Sequence, residues 1–254
     1  MKTIILAGGF GTRFSEYTIE LPKPLIEVGG KPIIWHIMNC YAQYGHKDFY
    51  IALGYKGEKI KSFFLNYQML NSDFRIDLKK RSIEDFNQSS LDWKVSLIDT
   101  GLNTLTGGRA KKISKFIGNE TCMLTYGDGL SNVNIEELIK FHKNHGKMIT
   151  MTAVRPSARF GELILDGDQV KNFEEKPQLY DGWINGGFFV IEPEFFKLIK
   201  DDNIMLEREP LSEAVKADQL MCYRHDGFWQ CMDSKRDHEL LESLCKDDTY
   251  PWLK

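Results

Sequence analysis

The 254 residues contain no apolar run near the length that a membrane-crossing helix needs, which sets aside an integral helical membrane protein. There is no basic excess: 33 Lys and Arg against 36 Asp and Glu leave a net charge of −3. The electrostatic footprint of a nucleic-acid-binding protein is therefore missing, and any phosphate ligand must be held by local cations. The five cysteines (Cys40, Cys122, Cys222, Cys231 and Cys245) are odd in number, widely spaced and without a C-x-x-C pair. That argues against a disulfide framework or a thiolate zinc site and fits a reducing cytoplasm. No Pro/Ser-rich linker, low-complexity tract or internal repeat interrupts the chain, and the first residues lack the long apolar stretch of a signal peptide. The expectation is one domain over residues 1–254.

What is present is an alternation. Short β-rich runs at 3–6, 49–53, 95–98 and 122–126 are interleaved with helical stretches at 33–44 and 58–67. This is the pattern of βαβ units feeding a mainly parallel sheet, a doubly wound α/β fold. Asn134 as N-cap, Glu137 three residues on and Gly146 at the far end predict a further helix. The second half is richer in strands, at 148–154, 162–165, 169–173 and 186–191, and reads as an added mixed-sheet layer. The polar stretch 79–92 reads as an insertion loop.

The first strand runs from Leu6 into Ala7, Gly8, Gly9, Phe10, Gly11, Thr12 and Arg13. A glycine-rich loop thus sits at the carboxyl end of a strand, where ligands bind in open α/β sheets. Without a Cβ the backbone can approach a phosphate closely, and Arg13 adds a forked cation. Taken alone, the cluster fits a tight strand-to-helix turn equally well. It lacks the third glycine of a dinucleotide site, and Gly29, Gly30 and Lys31 are followed by Pro32, which breaks the P-loop pattern. Lys23 lies between Pro22 and Pro24, which keep it out of a helix; by itself it could be a solvated lysine in a braced loop.

Two aspartates close apolar segments. Asp128, between Gly127 and Gly129, follows 122–126, and Asp233 follows 228–232. Carboxylates at strand mouths suit Mg²⁺, which takes hard oxygen ligands shared with phosphates. For Asp233 an N-cap for the helix at 235–245 is the competing reading. His142 and His145 fall on one helix, but with no third ligand evident they make a poor zinc site.

Taken together, Leu6 to Phe14, Pro22-Lys23-Pro24 and Gly30-Lys31-Pro32 resemble the signature of sugar-1-phosphate nucleotidyltransferases. Ser15-Glu16 and Trp35-His36 are similar to the cytidylyltransferase members. The resemblance spans essentially the whole chain. It implies a Rossmann-like doubly wound, mixed but mainly parallel sheet (the nucleotide-diphospho-sugar transferase fold) with a small added β-rich sugar-binding layer. It implies catalysis by Lys23, Arg13 and Lys176, and nucleotide binding by Leu6, Ala7, Gly8, Gly9, Gly11, Thr12, Arg13, Lys23, Gly127 and Asp128. Thr106, Gly107 and Arg109 occupy the place of the base-reading loop, where this sequence departs from uridylyl and thymidylyl members; Arg109 could contact the triphosphate instead. Gly161, Glu175, Lys176, Asn185, Gly186 and Gly187 would hold the sugar phosphate, and Asp128 with Asp233 would be the Mg²⁺ ligands. The implied substrates are CTP and a sugar 1-phosphate, glucose by the nearest resemblance, and the implied assembly is a homo-oligomer, a trimer or hexamer. The aromatic segment ending Tyr250-Pro251-Trp252 could pack on a neighbour or on its own chain.

Overall fold

The computed structural model describes residues 1–14, 18–86, 91–156, 162–166, 169–174, 182–245 and 249–253. Seven strands build the central sheet: β1 (Lys2–Leu6), β2 (Asp48–Leu53), β3 (Lys94–Asp99), β4 (Cys122–Tyr126), β5 (Ile149–Val154), β6 (Ile184–Ile191) and β7 (Leu220–His225). Their spatial order is β7-β5-β6-β4-β1-β2-β3, and every neighbouring pair is parallel except the two made by β6. Strands covered on both faces read as near-continuous apolar runs, which is why these segments stand out in the sequence. On β1 the side chains alternate: Ile5 belongs to one apolar core, and Ile4 and Leu6 to the core on the opposite face.

Helices α1 (Ile33–Ala42), α2 (Gly57–Leu65), α3 (Thr106–Ile117), α4 (Ile135–His145), α5 (Glu209–Lys216) and α6 (Lys235–Leu244) cover the sheet. The cap signals of α4 are realised: Asn134 accepts from the Glu137 N–H at 3.2 Å, and Gly146 ends the helix at φ 63°. The chain winds outward from β1 through β2 to β3, then crosses to β4 on the other side of β1. That reversal opens a crevice at the carboxyl ends of β1 and β4.

Two features differ from the sequence reading, and a third settles an alternative that it left open. Strands β5 and β6 join the seven-stranded sheet instead of forming a layer of their own; among the described residues of that region, only the hairpin Glu162–Asp166 with Gln169–Glu174 stands apart. The stretch 79–92 is not a loop throughout, because Ser82–Asp85 pairs antiparallel with Phe74–Asp77. Its alternating Ile83 and Glu84 carry the period-two signal, diluted by the charged turn before them. The C-terminal aromatics fold onto their own chain: Trp252 is buried against His36, Phe228 and Tyr250, and the Tyr250 hydroxyl donates to the Gly29 carbonyl at 3.2 Å. Among the described residues, no helix is long and apolar enough to cross a membrane.

Candidate active site

At the carboxyl end of β1 the chain leaves the sheet through the glycine loop, and Ala7 still donates to the Ala52 carbonyl at 3.1 Å. The glycines here serve different ends. Gly11 sits at φ 64°, a left-handed turn that closes with the Phe14 N–H on its carbonyl at 2.9 Å. Gly9 is exposed, and a Cβ on it would meet nothing within 4 Å. Gly8 is bare for packing: a Cβ there would lie 2.2 Å from Arg109 Nη1 and 2.9 Å from the Gly54 nitrogen.

Arg109 reaches this position from the first turn of α3 and is 4% exposed. Its Nη1 donates to the Leu53 carbonyl at 2.8 Å and to Thr100 Oγ1 at 2.6 Å, and its Nη2 to the Gly8 carbonyl at 2.9 Å and the Leu102 carbonyl at 3.1 Å. Burial pulls the guanidinium below its ordinary pKa, with Asp99 opposing, yet it stays a cation at neutral pH. Its donors tie the ends of β1 and β2 to the loop after β3. In this arrangement Arg109 is the floor of the glycine loop. Gly8→Ala is therefore expected to cost about 1–3 kcal/mol of stability through overpacking. Gly9→Ala should stay within about 0.5 kcal/mol of the parent. Denaturant midpoints of the two variants check the contrast.

Thr106 and Gly107, also at the start of α3, are tied to the 202–207 segment. The Thr106 hydroxyl donates to Glu207 Oε2 at 2.7 Å and accepts from the Leu206 N–H at 2.9 Å, and the Gly107 N–H donates to the Ile204 carbonyl at 3.0 Å. A Cβ on Gly107 would stand 2.7 Å from that carbonyl, so glycine here admits a neighbouring backbone. Glu207 was not expected from the sequence. Its Oε1 accepts from the Tyr126 hydroxyl at 2.6 Å, and Asn185 Nδ2 donates to the same hydroxyl at 3.1 Å. Burial, then the Glu207 charge, pushes the Tyr126 phenol well above its usual range and keeps it a donor. Asn185 Oδ1 in turn accepts from the Gly187 N–H at 2.9 Å, where Gly187 adopts φ 84° at an irregularity in β6. Gly186 lies against Val154, and its carbonyl accepts from Trp229 Nε1 at 2.8 Å.

Lys23 enters the crevice on a short 3-10 turn, Lys23–Leu25, begun by Pro22 in extended conformation. Its ammonium donates to Asp128 Oδ2 and to Asp233 Oδ1, both at 2.6 Å. Burial alone would lower its pKa, but the two carboxylates, Asp128 foremost, outweigh it and hold the lysine above its ordinary value. Asp128 follows β4, where the Gly127 N–H is fixed on the Leu6 carbonyl at 3.0 Å. The Met232 N–H donates to the Asp128 carbonyl at 2.8 Å, which clamps the two aspartate segments together. The N-cap of α6 is Ser234, whose Oγ accepts from the Asp237 N–H at 3.3 Å. The Asp233 carboxylate is thereby directed at Lys23 and is not the cap.

The carboxylate pair suits a divalent cation. Two hard oxygen donors converge on one point, and the Cys231 thiol reports the negative local field: burial first, then Asp233 and Asp128, push it up to about 12. Among the described residues no group of three or more His, Cys, Asp or Glu side chains could hold a metal, so further ligands would have to be substrate oxygens or water. The two helix histidines are otherwise engaged: His142 meets Thr150 Oγ1 at 2.8 Å and Glu192 Oε1 at 3.0 Å, and His145 meets Thr150 Oγ1 at 2.7 Å.

The structure thus brings together Lys23, Asp128 and Asp233 and lays the glycine loop beside Gly127. Gly161, Glu175 and Lys176, with the side chain of Arg13, lie outside the described residues. The fold is shared with solved structures: HddC from Yersinia pseudotuberculosis superposes with a TM-score of 0.71 at 20% identity, over 96% of this chain and 99% of that one. At the sequence level the chain is 46% identical to the glucose-1-phosphate cytidylyltransferases of Salmonella typhi and Salmonella typhimurium, over 99% of its own length and 98% of theirs. With residues 2–233 also matched by the model of the nucleotidyl transferase family, the chain belongs to that family, in its glucose-1-phosphate cytidylyltransferase branch.

Proposed function

We propose that the chain transfers the cytidylyl group of CTP to α-D-glucose 1-phosphate, forming CDP-glucose and pyrophosphate. The observation that carries this reading is the convergence of Lys23 with Asp128 and Asp233, at 2.6 Å each, at the carboxyl mouth of β1 and β4. The names of the relatives supply the base and the sugar.

The chemistry is an in-line displacement. A phosphate oxygen of the sugar 1-phosphate forms a bond to the α-phosphorus of CTP while the bond to the bridging oxygen breaks, and the electron pair leaves on pyrophosphate. No covalent bond to the enzyme is made. Negative charge gathers around one phosphorus, so the protein's task is positioning and electrostatic stabilisation more than acid or base chemistry. The loop from Leu6 to Arg13 receives the nucleotide, and Arg13 and Lys23 stabilise the triphosphate charge. Lys176 holds the phosphate of the incoming sugar. Glu175, Asn185, Gly186 and Gly187, with Gly161, face the sugar, and the Tyr126 and Glu207 hydrogen bonds fix the amide of Asn185 in place.

Asp128 and Asp233 would hold Mg²⁺, which when bound neutralises phosphate charge and templates the reacting groups. The Lys23 ammonium, which donates to both carboxylates, would share its remaining donor with the triphosphate. The reading includes a single domain over residues 1–254 acting in the cytoplasm as a homo-oligomer.

A pyrophosphate-release assay of the common triphosphates against a panel of sugar phosphates tests the substrates. CTP with glucose 1-phosphate should exceed the other pairs by roughly 100-fold or more in kcat/KM, because a site that hydrogen-bonds one base leaves buried polar groups unpaired with another. A preference for UTP or dTTP would overturn the base assignment.

A further inference from the structure

Two arginines and a tryptophan gather where β5 ends, β6 begins and β7 ends. Ala153 of β5 pairs with Arg224 of β7 on one side and with Asn185 of β6 on the other, and the next pair of β5 with β6 is Val154 with Ile184. Side chains alternate along a strand, so Arg155 and Trp183, one step further on, share the face of Arg224 and Asn185. The contacts agree: the Arg155 guanidinium carbon lies 4.4 Å from the centroid of the Trp183 indole, and that of Arg224 lies 5.8 Å from an indole centroid of the same residue. Strands β5 and β7 run parallel to β4 and β1, which puts the cluster on the sheet edge that carries the crevice.

Each guanidinium is attracted to the ring face, but two like charges drawn to one indole repel each other. Among the described residues neither makes an ion pair or a hydrogen bond. Arg155 is half-buried, and its Nε is buried with no acceptor. A buried donor left without a partner costs free energy that an acceptor would return. Arg224 is exposed on β7, the edge strand of the sheet, so a small solute has access to the pair from solvent. A carboxylate fills one guanidinium fork, whereas a phosphate has oxygens enough for two and a second negative charge to offset the repulsion. We infer that Arg155 and Arg224, held on Trp183, form a binding site for a phosphate dianion, free or carried by a sugar, separate from the residues that meet the reacting phosphates. The site adjoins Asn185 without including it: Trp183 stands two residues earlier, roughly 7 Å along the strand direction.

Tryptophan emission of the full chain, titrated with inorganic phosphate in chelator at an ionic strength held constant with chloride, tests this. The parent should show a saturable change that W183F lacks; the chain has five tryptophans, and this variant removes only the one in the cluster. R155Q and R224Q should each raise the half-saturating phosphate concentration roughly 10-fold or more, the loss of one charge-assisted contact. R224Q alters one exposed side chain on an edge strand, so it decides the matter even where R155Q fails to fold. Glucose 6-phosphate as a second titrant separates the sources: tighter binding than that of phosphate assigns the site to phosphosugars, and equal or weaker binding assigns it to free phosphate. A parent that does not respond, an equal response in W183F, a half-saturation unmoved in R224Q, or the same signal from added chloride would each overturn the inference.

Discussion

Replacing Lys23 with methionine is expected to lower kcat by roughly 100-fold or more while the fold survives. The ammonium is the one described cation held at the meeting point of the two aspartates, and removing a single preorganised charge of this kind typically adds about 3 kcal/mol to the barrier. Asp128→Asn should cause a comparable loss and raise the Mg²⁺ concentration needed for half-maximal rate. The lysine variant has a second signature. Without the ammonium, the mutual repulsion of Asp128 and Asp233 grows, since like charges in a partly buried site repel. Lys23→Met should therefore melt below the parent in chelator and gain more from millimolar Mg²⁺ than the parent does, because a cation that binds only the folded state stabilises it by mass action. Thermal scans with and without Mg²⁺, run beside the pyrophosphate assay, read both effects. Near-normal turnover in Lys23→Met would end the assignment of the site.

The parts of this site that the sequence reveals are those whose signal is local. β4 is legible because Cys122, Met123 and Leu124 are wholly buried and so must be apolar, and Asp128 is legible because it breaks such a run at the strand mouth. Lys23 is legible through its flanking prolines. Asp233 is ambiguous from local chemistry, since an aspartate just before a helix is a good cap; that Ser234 takes the cap depends on how β7 and α6 are joined, which residue types do not encode. Glu207 is invisible for a related reason. It meets Tyr126 across 81 positions of sequence and Thr106 across 101, and nothing in its own neighbourhood distinguishes it from a solvated glutamate. The hairpin at 74–85 is obscured because its apolar residues are few and exposed. Gly8 reads as room for a phosphate or a tight turn, whereas a Cβ on it would lie 2.2 Å from the Arg109 guanidinium, and one on Gly54 2.4 Å from it.

Arg109 decides whether that structural reading is right. Arg109→Met removes a buried cation with four hydrogen-bonded partners, three of them carbonyl oxygens. Part of the loss is cushioned: Leu53 O still accepts from Thr100 Oγ1 at 2.6 Å, and Gly8 O from the Tyr55 N–H at 3.1 Å. The Leu102 carbonyl and the space left beneath Gly8 and Gly54 have no such cover. Hydrogen bonds to a charged group contribute about 1.5–3 kcal/mol each, so with this partial compensation the net cost should be about 3 kcal/mol. In a domain of this size that corresponds to a fall in Tm of roughly 10 °C. Arg109→Lys should recover little, because one ammonium cannot span acceptors on three separate segments. The nucleotide should bind more weakly in both variants, and by an amount that lessens when the assay temperature is lowered, since the defect lies in holding the loop and not in touching the ligand. If instead Arg109→Met melts with the parent and loses CTP affinity at every temperature, the guanidinium acts on the triphosphate, and the hydrogen bonds to Gly8 and Leu53 must break when the nucleotide arrives.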